Sequence, residues 1–243
     1  MRVVAIIQAR MGSSRLPRKA LRDIGGATML ARVVHRARRA SLLSEVVVAT
    51  TVEPEDEAIV TECDRLGTRV FRGSEDDVLD RFYRAAMTFK AEAVVRITSD
   101  CPLIDSSVID AVVRAFSDET PDYASNSLTR TYPRGLDVEV MTIEALARAA
   151  REATEQYQRA HVTPYIYQRP DLFRLLPITE AADYSDLRWT VDTEEDLKLV
   201  RAIYERFGND DSFGWRDVLA LLADEPSLNE MNRDVQQKSL EEG

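Results

Sequence analysis

The sequence predicts an α/β protein built on a doubly wound, mostly parallel sheet, and three observations carry that prediction. Short apolar runs rich in β-branched residues recur at 3–7, 46–50 and 93–97. Such runs read as strands buried on both faces. Segments with helical apolar spacing separate them, as at Leu30, Val33, Val34 and Ala37. Strand and helix alternate in order along the first half of the chain, which is the pattern of a parallel sheet with helices on both sides.

Each element has its own justification. The strand at 3–7 runs into a polar loop, and a Gly25-Gly26 turn precedes a helix over 29–40. Arg32, Arg36, Arg38 and Arg39 read as the solvated face of that helix. After the strand at 46–50, Pro54 starts a helix that reaches about Leu66 and stops at Gly67, since proline suits a first turn. A short strand at 69–71, a loop at 72–77 and a helix over 77–89 precede the strand at 93–97. A helix over 108–116 and a weak strand at 123–126 follow. The alternation then loosens, with a strand at 136–141, helical stretches near 143–152 and 155–167, and a strand at 173–176. A strand at 187–191 leads to Asp192-Thr193, which opens a helix over 194–207. Thr193 is its N-cap and Asp196 completes a capping box. The last amphipathic helix covers 215–223. These readings add up to one domain over 1–224, with an insertion at about 127–177 and a polar tail over 225–243.

Composition narrows the function. Of 243 residues, 44% are hydrophobic and 30% charged, as in ordinary globular proteins. The net charge of −10 argues against a nucleic-acid partner. No apolar run approaches transmembrane length, and the chain enters a strand without a signal-peptide pattern. A cytoplasmic protein with no membrane partner is expected. Cys63 and Cys101 lack metal-cluster spacing and are expected reduced and buried.

Against that acidic background the first loop stands out. From Gln8 to Lys19 it holds Arg10, Arg15, Arg18 and Lys19 and no carboxylate. Open α/β sheets bind ligands at the carboxyl ends of their strands. Gly12, Ser13 and Ser14 can turn backbone N–H groups toward an anion, and Arg10, Arg15 and Lys19 can neutralise it. A nucleotide polyphosphate fits; so does a solvated basic turn. A Walker loop and a dinucleotide fingerprint are excluded by the glycine and lysine spacing. Asp100 ends the strand at 93–97 and Asp192 ends that at 187–191, so both converge near the loop. Mg²⁺ is typically held by one or two carboxylates plus phosphate oxygens. Either aspartate could instead cap the helix after it.

Arg10-Met11-Gly12-Ser13-Ser14-Arg15-Leu16-Pro17-x-Lys19-x-Leu21 resembles the signature of the cytidylyltransferases that activate sugar acids, the acylneuraminate and KDO CMP-synthetases. The likeness is greatest to their SpsF-like spore-coat polysaccharide branch, where the position of Arg18 is commonly glycine. Ser99-Asp100-Cys101-Pro102-Leu103-Ile104 and Val191-Asp192-Thr193-Glu194-Glu195-Asp196-Leu197 resemble the elements whose aspartates bind the family's metal. The resemblance spans about 3–204. It implies a nucleotide-diphospho-sugar-transferase-like fold with a small inserted dimerisation and acceptor subregion, and a homodimer. It implies CTP bound by Ala9, Arg10, Met11, Gly12, Ser13, Ser14, Arg15 and Lys19, with Mg²⁺ on Asp100 and Asp192. Arg10, Lys19 and Asp100 become the catalytic set.

Two further regions carry weaker likenesses. Arg72, Gly73 and Ser74 are similar to the loop that holds the pyrimidine base; a plain β–α connection capped by Ser74 or Asp76 is the alternative. Tyr132, Arg134, Asp137 and Glu139 mark the expected acceptor region. There Arg134 could pair bidentately with a carboxylate, and Asp137 and Glu139 share one strand face. A dimer-contact loop fits these residues equally well. His161-Val162-Thr163-Pro164-Tyr165-Ile166 resembles the branch's R-E-H-V-T-P-Y-I element, with Arg159-Ala160 replacing Arg-Glu, and adds His161 to the acceptor set. The expected reaction is transfer of CMP from CTP to a hydroxyl of a small anionic sugar or related metabolite, with loss of pyrophosphate. The rivals are a glycosyltransferase, which usually carries an Asp-x-Asp pair that Ser99-Asp100-Cys101-Pro102 lacks, and a non-catalytic nucleotide-binding scaffold.

Overall fold

The computed structural model describes residues 1–13 and 15–237. Ser14, expected in the nucleotide loop, and the end of the expected tail lie outside the described residues. In chain order the first elements are β1 (Val3–Gln8), β2 (Asp23–Ile24), β3 (Ala27–Thr28), α1 (Met29–Ala37), β4 (Glu45–Thr51) and α2 (Glu57–Arg65). Then come β5 (Val70–Gly73), α3 (Val78–Thr88), β6 (Ala93–Thr98), α4 (Ser106–Glu119), β7 (Tyr123–Ser125) and β8 (Glu139–Thr142). The rest are α5 (Ile143–Glu152), α6 (Gln156–His161), α7 (Pro164–Tyr167), β9 (Leu175–Pro177), α8 (Glu194–Arg206) and α9 (Trp215–Asp224).

The main sheet runs β5-β4-β1-β6-β8-β7-β9. β8 lies antiparallel to β6 and β7, and the other pairings are parallel. The mostly parallel α/β expectation therefore holds. Both faces of β1 are buried. Val3, Ala5 and Ile7 join one cluster with residues of α1, α4 and α8. Val4 and Ile6 join the other with residues of α3 and α5. This is why β1 reads as a continuous apolar run rather than an alternating one. Cys63 and Cys101 are buried and unpaired, as expected.

Four departures from the sequence reading have physical causes. The segment 187–191 is not a strand; it makes one isolated bridge, Arg134 to Arg188. Its backbone bonds go instead to loops: Val191 N–H donates to the Asp100 carbonyl at 2.8 Å and Trp189 N–H to the Arg134 carbonyl at 2.7 Å. The stretch 155–167 breaks into α6 and α7 at Val162, and Pro164, which has no N–H to continue the ladder of α6, starts the next helix. At the break Val162 has φ 72°, and Thr163 N–H closes a γ-turn onto the His161 carbonyl at 2.9 Å. Arg32 and Arg36 are buried rather than solvated. Arg32 donates to the Ile24 and Gly25 carbonyls, and Arg36 to those of Ile104 and Phe213. Finally, part of the expected polar tail packs on the body: a 3-10 turn at Pro226–Met231 buries Leu228.

Two backbone positions in this frame bear on the site. Gly135 has φ 107°, and a Cβ there would lie 2.6 Å from the Thr190 nitrogen. The absence of a side chain lets the chain before β8 pass against the segment that delivers Asp192. Gly135→Ala is expected to destabilise the protein by about 2–3 kcal/mol, read as a lower urea midpoint; an unchanged midpoint would remove this constraint. Arg18 has φ 59° and ψ 28°, the left-handed conformation that a glycine adopts freely. Arg18→Gly is expected to raise stability by up to about 1 kcal/mol, and a clear loss would contradict that reading.

Candidate active site

β1 and β6 run in register to Gln8 and Thr98, so the loops that leave them start side by side. The loop after β1 returns through a 3-10 turn at Lys19–Leu21, which lays Lys19 over the loop after β6. Lys19 Nζ donates to Asp100 Oδ2 and to Asp192 Oδ1, each at 2.8 Å. Thr98 Oγ1 donates to Asp100 Oδ1 at 2.5 Å. The other oxygen of Asp192 accepts from Arg188 Nη2 at 2.8 Å and lies 3.2 Å from Arg15 Nη2. Three cations thus meet two carboxylates at one point.

The electrostatics follow from that arrangement. Burial favours the neutral amine of Lys19, but Asp100 and Asp192 outweigh it and raise its pKa. Burial likewise opposes ionisation of Asp100, yet Lys19 holds its carboxyl down, to about 2. Lys19 and Asp100 are therefore charged near neutral pH. With Gln8, Arg10, Gly12, Ser13 and His161 they line a cavity of about 270 Å³.

A second cavity, about 390 Å³, shares Thr98 and His161 with the first. Its walls include Arg96, Arg130, Asp137, Glu139, Thr163 and Tyr167. Glu139 is its buried hub. It pairs with Arg96 and accepts from the Tyr123 hydroxyl and from Thr163 Oγ1, each at 2.6 Å. Burial pushes its pKa up, but Arg96 and the two hydroxyls hold it below the usual carboxylate range. Arg130 Nη1 lies 2.5 Å from Asp137 Oδ1.

The expected residues divide by placement. Arg10, Gly12, Ser13, Arg15, Lys19, Asp100 and Asp192 line the first cavity, and Asp137, Glu139 and His161 the second. Ala9 and Met11 line neither. They are buried, and their N–H groups donate to the Ala49 carbonyl at 3.1 Å and to Asp56 Oδ1 at 2.6 Å. They shape the loop from beneath. Arg72, Gly73 and Ser74 also lie outside both cavities. Arg72 donates to the Thr51 and Glu53 carbonyls and pairs with Glu57, so its charge is spent on the connection after β4. Gly73 packs against Arg81. Ser74 Oγ accepts from Asp77 N–H, while Asp77, not Ser74 or Asp76, caps α3.

Tyr132 and Arg134 are likewise absent from the cavity walls. Tyr132 is buried against Trp215, ring centroids 5.5 Å apart. The backbone of Arg134 bonds to Leu187 and Trp189, while burial lowers the pKa of its guanidinium, which also feels Arg130, Asp137, Arg188 and Asp192. In their place the structure brings Arg96, Arg130 and Thr163 to the second cavity. Arg96 had a legible signal, a cation inside an apolar strand, which requires a buried partner. Arg188 was missed although Asp192 and Asp196 follow it by four and eight residues, because an extended strand over 187–191 would carry it away from both.

Comparison with known proteins identifies the family. The family model described as Cytidylyltransferase matches residues 4–235. The chain is 34% identical to the spore coat polysaccharide biosynthesis protein SpsF of Bacillus subtilis, over 92% of this chain and 95% of that protein. It is 31% identical to a 3-deoxy-manno-octulosonate cytidylyltransferase of Solibacter usitatus, over 86% of this chain and 90% of that protein. Among solved structures, a cytidylyltransferase from Leptospira borgpetersenii superposes with a TM-score of 0.91 at 32% identity, covering 98% of this chain and all of that one. A parallel sheet that ends in a cationic loop over two aspartates, matched along nearly its whole length by these relatives, belongs to the cytidylyltransferase family.

Proposed function

We propose that this protein transfers CMP from CTP to a hydroxyl of a small acidic sugar or related metabolite, uses Mg²⁺, and works as a homodimer. The observation that carries the nucleotide half is Lys19 bridging Asp100 and Asp192 beside Arg10 and Arg15. The acceptor half rests on the second cavity and on the sugar acid named for the Solibacter usitatus relative. The homodimer rests on the family resemblance.

The residues fit a hard divalent cation. Two carboxylates already point at one positive charge, the Lys19 ammonium. Among the described residues, no group of three His, Cys, Asp or Glu side chains could hold a metal. Two carboxylates with the remaining positions left to phosphate oxygens and water is the usual Mg²⁺ arrangement. Asp100 and Asp192 would hold the ion. When bound, it supplies positive charge at phosphate oxygens.

The chain's own residues do the rest by position and charge. Arg10, Arg15 and Lys19 neutralise the triphosphate and the charge that grows on the departing pyrophosphate. Gly12 and Ser13 let the backbone approach the phosphates closely. The acceptor sits in the second cavity, where Asp137 and Glu139 meet its hydroxyls and Arg130 meets its acid group. His161 borders both cavities, so the acceptor hydroxyl is presented to the α-phosphorus across that border. The hydroxyl oxygen bonds to the α-phosphorus and the bond to the β-phosphate bridging oxygen breaks. Pyrophosphate leaves with the electron pair, and the hydroxyl proton is released. Holding both reactants in one geometry is the main source of rate.

The test is pyrophosphate release from CTP and Mg²⁺ with a panel of sugar acids. One or more acids are expected to support turnover, and Asp100→Asn is expected to lower it by at least roughly 100-fold with an unchanged circular dichroism spectrum. Normal turnover in that variant contradicts the assignment of Asp100; no release with any acid contradicts the acceptor class.

A further inference from the structure

Asp192 is held from behind by a group that sequence patterning did not single out. Arg188 Nη2 donates to Asp192 Oδ2 at 2.8 Å, while Arg188 Nε donates to Asp196 Oδ1 at 2.9 Å. Asp196 in turn accepts the backbone N–H of Asp192 at 2.9 Å and that of Thr193 at 3.0 Å. Asp196, which completes the capping box of α8, therefore also fixes the backbone of Asp192, and Arg188 fixes its side chain. The remaining oxygen, Oδ1, is the one turned to Lys19.

The C-terminal segment closes this arrangement. Asn232 is buried, and its Nδ2 donates to the Arg188 carbonyl at 3.0 Å and to Asp196 Oδ1 at 2.8 Å. Gln237 Oε1 accepts from Arg188 Nη1 at 2.7 Å. Leu228, also buried, anchors the segment that carries them.

We propose that Arg188 is a positioning residue that presets Asp192, and that the segment 226–237 holds Arg188 in place through Asn232 and Gln237. The proposal rests on the reading of Asp192 as part of the nucleotide and metal site. Its logic is geometric. A cation arriving with the triphosphate must displace Lys19 from Asp192 Oδ1, while Oδ2, which also lies 3.2 Å from Arg15 Nη2, keeps its bond from Arg188. Asp192 then meets the ion without rotating. The planar fork of an arginine holds two carboxylates through separate nitrogens in fixed directions, which the single nitrogen of a lysine on a flexible stem cannot do. Groups that orient a metal's ligands from behind typically change metal affinity by about 10–100-fold when removed.

The experiment is calorimetric titration of CTP into the full chain, once in EDTA and once in Mg²⁺. The readout is the ratio of the two Kd values, measured for the wild type, Asp192→Asn, Arg188→Lys and Asn232→Ala. Arg188→Lys and Asn232→Ala are expected to lower the ratio about 10-fold while leaving the Kd in EDTA unchanged. Asn232→Ala keeps Arg188 itself intact, so the test remains open should Arg188→Lys fail to fold. A wild-type ratio near one, or a normal ratio in Asp192→Asn, overturns the underlying reading of the site. A ratio that collapses in Asp192→Asn but stays normal in both other variants overturns the positioning role. A segment that serves only the fold would lower the melting temperature of Asn232→Ala and leave its ratio untouched.

Discussion

The contact on which this active site depends is the Lys19 ammonium shared by Asp100 and Asp192. It joins three places far apart in the chain: the loop after β1, the loop after β6 and the entry to α8. Two carboxyl groups that share a partly buried site do not both ionise readily without a cation between them. Lys19 supplies that cation when no ligand is bound. In the proposed complex a divalent ion carried by a triphosphate would supply it instead, and Lys19 would turn to the phosphates. One side chain therefore stabilises the empty site and serves the filled one. The site is preorganised for the same reason that it is stable.

The fold exists to deliver those three places to one edge. β1 and β6 are adjacent and end level, so their loops share an origin. The entry to α8 has no strand to carry it. It is hung on the Asp100 carbonyl by Val191, passed close to Gly135, and locked by Asp196, Arg188 and Asn232. Position without a strand costs more side chains, and those side chains come from the last part of the chain. β8 runs against its neighbours, which places its first residue, Glu139, at the same edge as Thr98. That reversal builds the second cavity directly beside the first.

Local pattern and charge made much of this legible in the sequence. The strands before the two loops, the cationic run around Lys19, the aspartates that end their segments and the Thr193–Asp196 capping box depend only on neighbours in the chain. What was not legible depends on distant partners. Arg72 was read as a base contact, and its bonds to Thr51, Glu53 and Glu57 could not be read from the chain. Tyr132 looked like an acceptor contact, but Trp215 buries it. Arg32 and Arg36 looked solvated because the carbonyls that receive them lie on other elements. A charge in a sequence shows that a partner is needed; only the fold shows which.

The central claim is that the cavity around Lys19, Asp100 and Asp192 takes CTP together with a divalent ion. Thermal unfolding with CTP, UTP, ATP and GTP, each with and without Mg²⁺, tests it most directly, because no acceptor is required. The account predicts that CTP with Mg²⁺ raises stability, by about 2.7 kcal/mol at 100 times its Kd, and that the purine nucleotides do not. Equal stabilisation by ATP or GTP, or none by CTP under either condition, would contradict it.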